Sequence, residues 1–197
     1  LCSANWVKAG IKVCSITVLN SHRRDEMLEV EVKSRIDLSY AREVLEGLDA
    51  KFLEAEEHFD IYYNAPHCDF AETDEALRIR SVNDRQVLTY KGKKLDDTTK
   101  SREEIQTPVE AEAMIQILER LGFKETARVQ KVRDVFKIGD ITLCLDEVDS
   151  LGQFIEFEII SDADMEESKK RIFAMMEKFG LQPEDSIRKS YLELVME

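Results

Sequence analysis

The chain has 197 residues, 43% hydrophobic and 35% charged, with 7 Gly and 3 Pro. That composition suits one globular domain with appendages and excludes a fibrous or disordered chain. The formal net charge of −13 argues against nucleic-acid and anionic-lipid partners, and no run approaches the roughly 20 apolar residues of a membrane span.

Residues 1–26 stand apart. Lys8, Lys12, Arg23 and Arg24 outnumber Asp25 and Glu26 there, and periodicity is weak. A partly apolar run at 11–19 is broken by Lys12, Ser15 and Thr17 and lacks a small-residue cleavage site, which disfavours a signal peptide. Residues 1–26 are therefore expected to be an extension outside the fold, with a single domain at 27–197. Cys2, Cys14, Cys68 and Cys144 are scattered without a CxxC pair, so reduced thiols in a cytoplasmic protein are expected.

From there the elements follow in order. Residues 28–36 (LEVEVKSRI) alternate strictly and predict a strand. Asp37 or Ser39 caps a helix over 38–48, with Leu38, Ala41, Val44, Leu45 and Leu48 at helical spacing. Strands are predicted at 59–64, 76–82, 86–93 and 100–106. Thr107-Pro108-Val109-Glu110 predicts a helix start, with Thr107 as N-cap and Glu110 closing a capping box, and Gly122 ends that helix. Strands at 127–138, 141–148 and 153–160 follow, the first two joined at Gly139-Asp140. Helices at 164–179 and 186–195 close the chain. Short connections make the strands antiparallel. The expected fold is α+β, a closed eight-stranded antiparallel β-barrel with helices packed outside.

One face of nearly every strand is charged. Glu29, Glu31 and Lys33 share a face because side chains alternate, as do Arg78 and Arg80, Lys91 and Lys93, Lys131 and Arg133, and Glu156 and Glu158. Arg102 and Asp146 add one of each sign. Any single pair taken alone reads better as a solvated ladder on an open sheet. Together, acids on the first and last strands and bases on the middle ones read as a lumen, with Leu28, Val30, Val32, Leu77, Ile79, Val132, Ile155, Phe157 and Ile159 on the covered outer faces. A lumen of bases suits phosphate oxygens, and a carboxylate cluster suits Mg²⁺ or Mn²⁺ bridging them. On that reading Arg78, Arg80 and Arg133 repel one another until a ligand arrives.

Glu29-Val-Glu31-Val-Lys33 resembles the ExExK signature of the CYTH, or triphosphate tunnel metalloenzyme, superfamily. Ala76-Leu-Arg78-Ile-Arg80, Thr89-Tyr-Lys91, Lys131-Val-Arg133, Leu145-Asp146, Phe154-Ile-Glu156-Phe-Glu158 and Lys189-Ser190-Tyr191 follow in that family's order. The stretch from Asp60-Ile-Tyr62-Tyr63-Asn64 to Arg78 is similar to the CyaB branch, the class IV adenylyl cyclases. The resemblance implies an eight-stranded tunnel that holds a nucleoside triphosphate or another triphosphate with one or two Mg²⁺ or Mn²⁺ ions. It places Glu29, Glu31, Asp146, Glu156 and Glu158 as metal ligands or their supports. Arg78, Arg80, Lys91, Arg102, Lys131 and Arg133 would bind phosphates, with Lys33, Arg133 and Lys189 toward the reacting end. It implies cyclisation of ATP, with inorganic or thiamine triphosphate hydrolysis as the alternative reaction. A nucleotide- or polyphosphate-binding module without turnover is a third reading, disfavoured by so full a carboxylate set. A homodimer is left open as an assembly.

No P-loop and no Ser-His-Asp or Cys-His pattern is visible. His22, His58 and His67 form no ligand set and are expected in surface or loop roles. Tyr62, Tyr63 and Phe70 fit either a base pocket or plain core.

Overall fold

The computed structural model describes residues 11–20, 23–94, 102–161 and 165–197. Among these residues, nine strands and five α-helices run in the order β1 (Ile11–Asn20), β2 (Arg23–Arg35), α1 (Leu38–Gly47), β3 (Lys51–Asn64), α2 (Phe70–Thr73), β4 (Ala76–Val82), β5 (Arg85–Lys94), β6 (Arg102–Pro108), α3 (Ala111–Arg120), β7 (Lys124–Ile138), β8 (Ile141–Val148), β9 (Gly152–Ser161), α4 (Met165–Lys178) and α5 (Tyr191–Val195), with a 3₁₀ turn at Pro183–Asp185. They form one sheet in the order β1-β2-β9-β8-β7-β3-β4-β5-β6, antiparallel throughout.

The eight expected strands are β2 to β9. Strand β1 comes from the stretch set apart in the sequence, and it pairs with β2 from Ile11↔Val32 to Asn20↔Arg23. The two edges, β1 and β6, approach within 8 Å between Cα atoms. The sheet is thus strongly curled, but among the described residues no ladder joins its edges. The hydrogen-bonded closure expected of a barrel is absent from these ladders.

Local chemistry sets the boundaries. Asp37 caps α1 by accepting from the Tyr40 amide at 2.9 Å. The expected cap of α3 is corrected. Thr107 and Pro108 stay in β6, opposite Leu88 and Val87. Glu110 instead accepts from the amides of Glu112 at 3.2 Å and Ala113 at 2.7 Å. Pro108 is tolerated because, among the described residues, β6 is an edge strand paired on one side only. The last helix also starts later than expected, at Tyr191, where Ser190 and Glu193 form a capping box.

The core splits by face. On the outer face of β2, β8 and β9, α1 and α4 pack against Val30, Val32, Ile155, Phe157 and Ile159. Each such side chain contributes roughly 1.5–3 kcal/mol of burial. Ile61, Tyr63, Leu77 and Ile79 pack with Leu118 of α3. Val132, expected under cover, is 49% exposed. It lies on β7, between the zone that α1 and α4 cover and the zone under α3. Among the described residues no helix is long and apolar enough to cross a membrane.

Candidate functional site

Cross-strand partners lie on the same face, so register alone shows which charges the fold brings together. Lys33 stands opposite Glu156 and Glu31 opposite Glu158. Arg133 stands opposite Asp146 on one side and Glu56 on the other. Lys131 faces His58, Asp60 faces Arg80, and Lys91 faces Glu104. These side chains occupy the inner face, opposite the apolar faces under the helices.

Two carboxylates organise the bases. Asp146, fully buried, accepts from Arg133 through Nε and Nη2 at 2.6 Å each, from Lys131 Nζ at 2.8 Å and from the Tyr191 hydroxyl at 2.7 Å. Arg133 also donates to Glu156. Asp60 accepts from Arg80 through Nε and Nη2 at 2.6 Å each, with Arg78 Nη1 at 3.5 Å and the Tyr62 hydroxyl at 3.4 Å. Lys91 pairs with Glu104 at 2.9 Å. The expected mutual repulsion of Arg78, Arg80 and Arg133 is therefore met from within, because each arginine lies on a carboxylate.

The titration behaviour follows from this pairing. Burial alone would raise the Asp60 carboxyl, but the Arg80 hydrogen bond and the charges of Arg78, Arg80 and Lys131 bring it down to about 2. Burial opposes ionisation of Asp146 too, and Arg133 and Lys131 outweigh it. Burial and then the Arg133 charge lower the Lys131 ammonium. Burial, then the charges of Glu156 and Asp146, push the Tyr191 phenol far above its ordinary range. It stays a donor.

The aromatic residues of the inner face sit beside these charges. Tyr191, delivered by α5, meets Phe154 edge-on at 5.2 Å and carries the Lys33 amine 4.0 Å above its ring. Tyr62 joins that cluster with Val129 and Val148. Tyr62 is thus inner-face core, whereas Tyr63 packs toward α3. His58, expected in a surface or loop role, is buried on β3 with Nε2 at 2.7 Å from Glu56.

Of the residues singled out in the sequence, the structure brings Lys33, Arg78, Arg80, Lys91, Lys131 and Arg133 onto the inner face with Glu31, Asp146, Glu156 and Glu158. Lys189 lies apart, 54% exposed and paired with Glu197. The side chains of Glu29 and Arg102 lie outside the described residues. Asp60, Glu104, His58 and the role of Tyr191 were missed. Asp60 and His58 carry a readable signal, since they alternate with Tyr62 along β3. Tyr191 closes the Lys189-Ser190-Tyr191 motif, but nothing local shows that it reaches Asp146 from 45 residues away.

The acidic end suits a hard divalent cation in its chemistry. Glu31 and Glu158 face each other across β2 and β9, with Glu156 two residues along. Like charges directly opposite are unfavourable unless a cation lies between them, and carboxylate oxygens suit Mg²⁺ or Mn²⁺. Among the described residues no three acidic, His or Cys side chains already converge as a ligand set, so they would have to draw together on the ion.

A curled antiparallel sheet with helices outside and ion-paired bases within defines an α+β protein that carries its charge on the inner face. Residues 27–191 match the CYTH domain family. A protein of Methanocaldococcus jannaschii named "Putative adenylate cyclase MJ0240" is 43% identical over 173 residues, covering 85% of this chain and 98% of its own. "Adenylate cyclase CyaB" of Aeromonas hydrophila is 23% identical over 182 residues, covering 89% and 93%. The solved PH1819 protein of Pyrococcus horikoshii OT3 superposes with a TM-score of 0.72 at 36% identity, covering 85% and 98%. The chain belongs to the CYTH domain family.

Proposed function

We propose that the chain is a metal-dependent, adenylyl cyclase-like lyase that converts ATP to cyclic AMP and pyrophosphate inside a tunnel formed by the curled sheet. The carrying observation is the set of bases from β4 and β7, Arg78 and Lys131 buried and Arg80 and Arg133 half-buried, facing one interior beside Glu31, Glu156 and Glu158. Buried ion pairs give little net stability, because desolvation costs several kcal/mol per ion. So many of them in one interior is what a polyanion site requires. The cyclase name of the M. jannaschii relative favours this chemistry.

Arg78, Arg80, Lys91, Arg102, Lys131 and Arg133 hold the phosphate oxygens, the arginines as planar forks. Lys33 and Arg133, between the acids and the bases, stabilise charge at the α-phosphate as the 3′ oxygen bonds to it. The bond to pyrophosphate breaks and the hydroxyl proton is released. Glu29, Glu31, Glu156 and Glu158 would hold Mg²⁺ or Mn²⁺, with Asp146 supporting through Arg133 and Lys131. The bound ion supplies Lewis-acid charge that acidifies the hydroxyl and neutralises phosphate oxygens. Lys189, paired at the surface, is left out of the set.

Tyr62 is buried in one cluster with Phe154 and Tyr191; a tyrosine committed to core rather than to stacking a base favours a second reading as an inorganic or thiamine triphosphatase. Water then attacks the terminal phosphorus within the same clamps. The test is product analysis with ATP, inorganic triphosphate and thiamine triphosphate, each with Mg²⁺ and Mn²⁺. Cyclic AMP supports the first reading and phosphate release the second. Turnover should fall at least about a hundredfold in Glu31→Gln and Glu156→Gln, by analogy with lost metal-site groups. No product from any substrate would leave a binding module.

A further inference from the structure

His58 lies in the middle of the inner face, and the set of phosphate-binding bases does not include it. It is 4% exposed. Its Nε2 is 2.7 Å from Oε2 of Glu56, whose Oε1 accepts from Arg85 at 3.2 Å. A carboxylate at Nε2 fixes the proton there and leaves Nδ1 as a bare lone pair. That Nδ1 is buried and has no hydrogen-bond partner, which in a protein interior calls for an explanation. The groups around the ring are Glu56 and Asp60 on β3, Arg80 on β4, and Lys131 and Arg133 on β7; Val82 of β4 stands directly opposite.

A bare lone pair cannot bind a phosphate oxygen, because both are acceptors. A protonated ring can. We infer that His58 is a proton-coupled ligand of the polyanion: Nδ1 takes up one proton from solvent as the triphosphate binds, and the new N–H donates to a phosphate oxygen. The inference rests on the triphosphate reading given above.

Electrostatics supplies the switch. Without ligand, burial and the cations Arg80, Lys131 and Arg133 bring the imidazole down to about 4, against the pull of Glu56. A polyanion seated on those same three cations cancels their effect and adds its own negative charge, both of which favour His58⁺. Glu56 then holds the other end of the imidazolium. The linkage sign is fixed: a group protonated more in the complex than in the free protein makes binding tighter as pH falls.

The test is calorimetric binding of inorganic triphosphate with Mg²⁺, in pairs of buffers differing in ionisation enthalpy, between pH about 5 and 7. Wild type should take up as much as about one proton more per ligand than His58→Gln, after the ligand's own titration cancels in the comparison. Gln offers a donor whose charge does not depend on pH. Its affinity should therefore lack the extra slope, up to about tenfold per pH unit, that wild type shows. Glu56→Gln, which removes the group favouring the imidazolium, should reduce the uptake. Should His58→Gln fold poorly, ¹⁵N spectra of the wild-type imidazole carry the same test, with Nδ1 turning into a protonated nitrogen on adding triphosphate. Binding with equal proton uptake in wild type and His58→Gln, or an unchanged Nδ1 signal, overturns the inference and leaves the triphosphate site standing. No binding by wild type overturns the triphosphate reading itself.

Discussion

The two buried carboxylates hold their bases in the same way but not to the same balance. Asp146 and Asp60 each grip one arginine through two hydrogen bonds, draw in a second base and meet a tyrosine hydroxyl. Around Asp146, Lys131 and Arg133 share two carboxylates, the second being Glu156. Around Asp60, Arg78 and Arg80 share one, and the contacts from Arg78 and Tyr62 are long. The β7–β8 cluster is close to neutral and tightly tied. The β3–β4 cluster carries surplus positive charge and slack geometry. A polyanion is drawn to surplus charge, so on the proposed triphosphate reading Arg78 and Arg80 would meet the phosphates first among the phosphate-binding bases, and Asp146 would order the acidic end.

The largest expected effect breaks the tighter cluster. Asp146→Asn leaves Lys131 and Arg133 with one fewer buried counterion and should cost about 3–5 kcal/mol in denaturant unfolding. Asp60→Asn should cost less, about 2 kcal/mol, because its two longer contacts hold less. Equal losses would erase the distinction.

Acid unfolding sharpens it next. Asp60 sits at about 2 in the folded chain against an ordinary 3.8. Its stabilisation is complete above the ordinary value and is lost as pH falls from about 4 through 2, about 2 kcal/mol in all. His58 acts in a separate window. Held at about 4 against 6.5, it is neutral in the folded chain, so stability declines as pH drops from 6.5 to 4. Glu104, held at about 2 beside Lys91, and Asp146, held down by Arg133 and Lys131, contribute in the same acid range, so Asp60→Asn should shrink the lower step and leave the upper one. Urea midpoints across that pH range read both.

The smallest effect compares the hydroxyls. Tyr191→Phe deletes a 2.7 Å hydrogen bond to Asp146 and should cost about 1–2 kcal/mol, whereas Tyr62→Phe, at 3.4 Å from Asp60, should cost well under about 1 kcal/mol. Matching losses would mean that the hydroxyl distances carry no energetic difference.

Much of this arrangement was legible because strand alternation is a local signal. The pairs Arg78/Arg80, Lys131/Arg133 and Glu156/Glu158 announce a charged face by spacing alone, and β4 and β8 occupy the residues that their patterns predict. What the sequence hides is pairing across strands. Alternation puts Asp60 on a face with His58 and Tyr62, but only register sets it opposite Arg80. Glu104 reads as surface charge until β6 lies beside β5 and Lys91. Tyr191 needs the whole topology to reach Asp146. Helix starts fared worse where two local rules competed, as at Thr107-Pro108, where the ladder with β5 prevailed over the cap. Val132 shows the limit of periodicity, which identifies an apolar face without saying whether a helix covers it.

The central claim is that the inner face is built for a triphosphate and that the Asp60 side receives it. Thermal unfolding of wild type and Arg80→Ala, with and without inorganic triphosphate and Mg²⁺, tests it most directly. Arg80→Ala should already be less stable without ligand, since Arg80 is the tight partner of Asp60. Wild type should gain about 2.7 kcal/mol at a hundredfold excess over Kd, and the variant should keep only a small part of that gain. Stabilisation of neither protein, or equal stabilisation of both, would contradict the account.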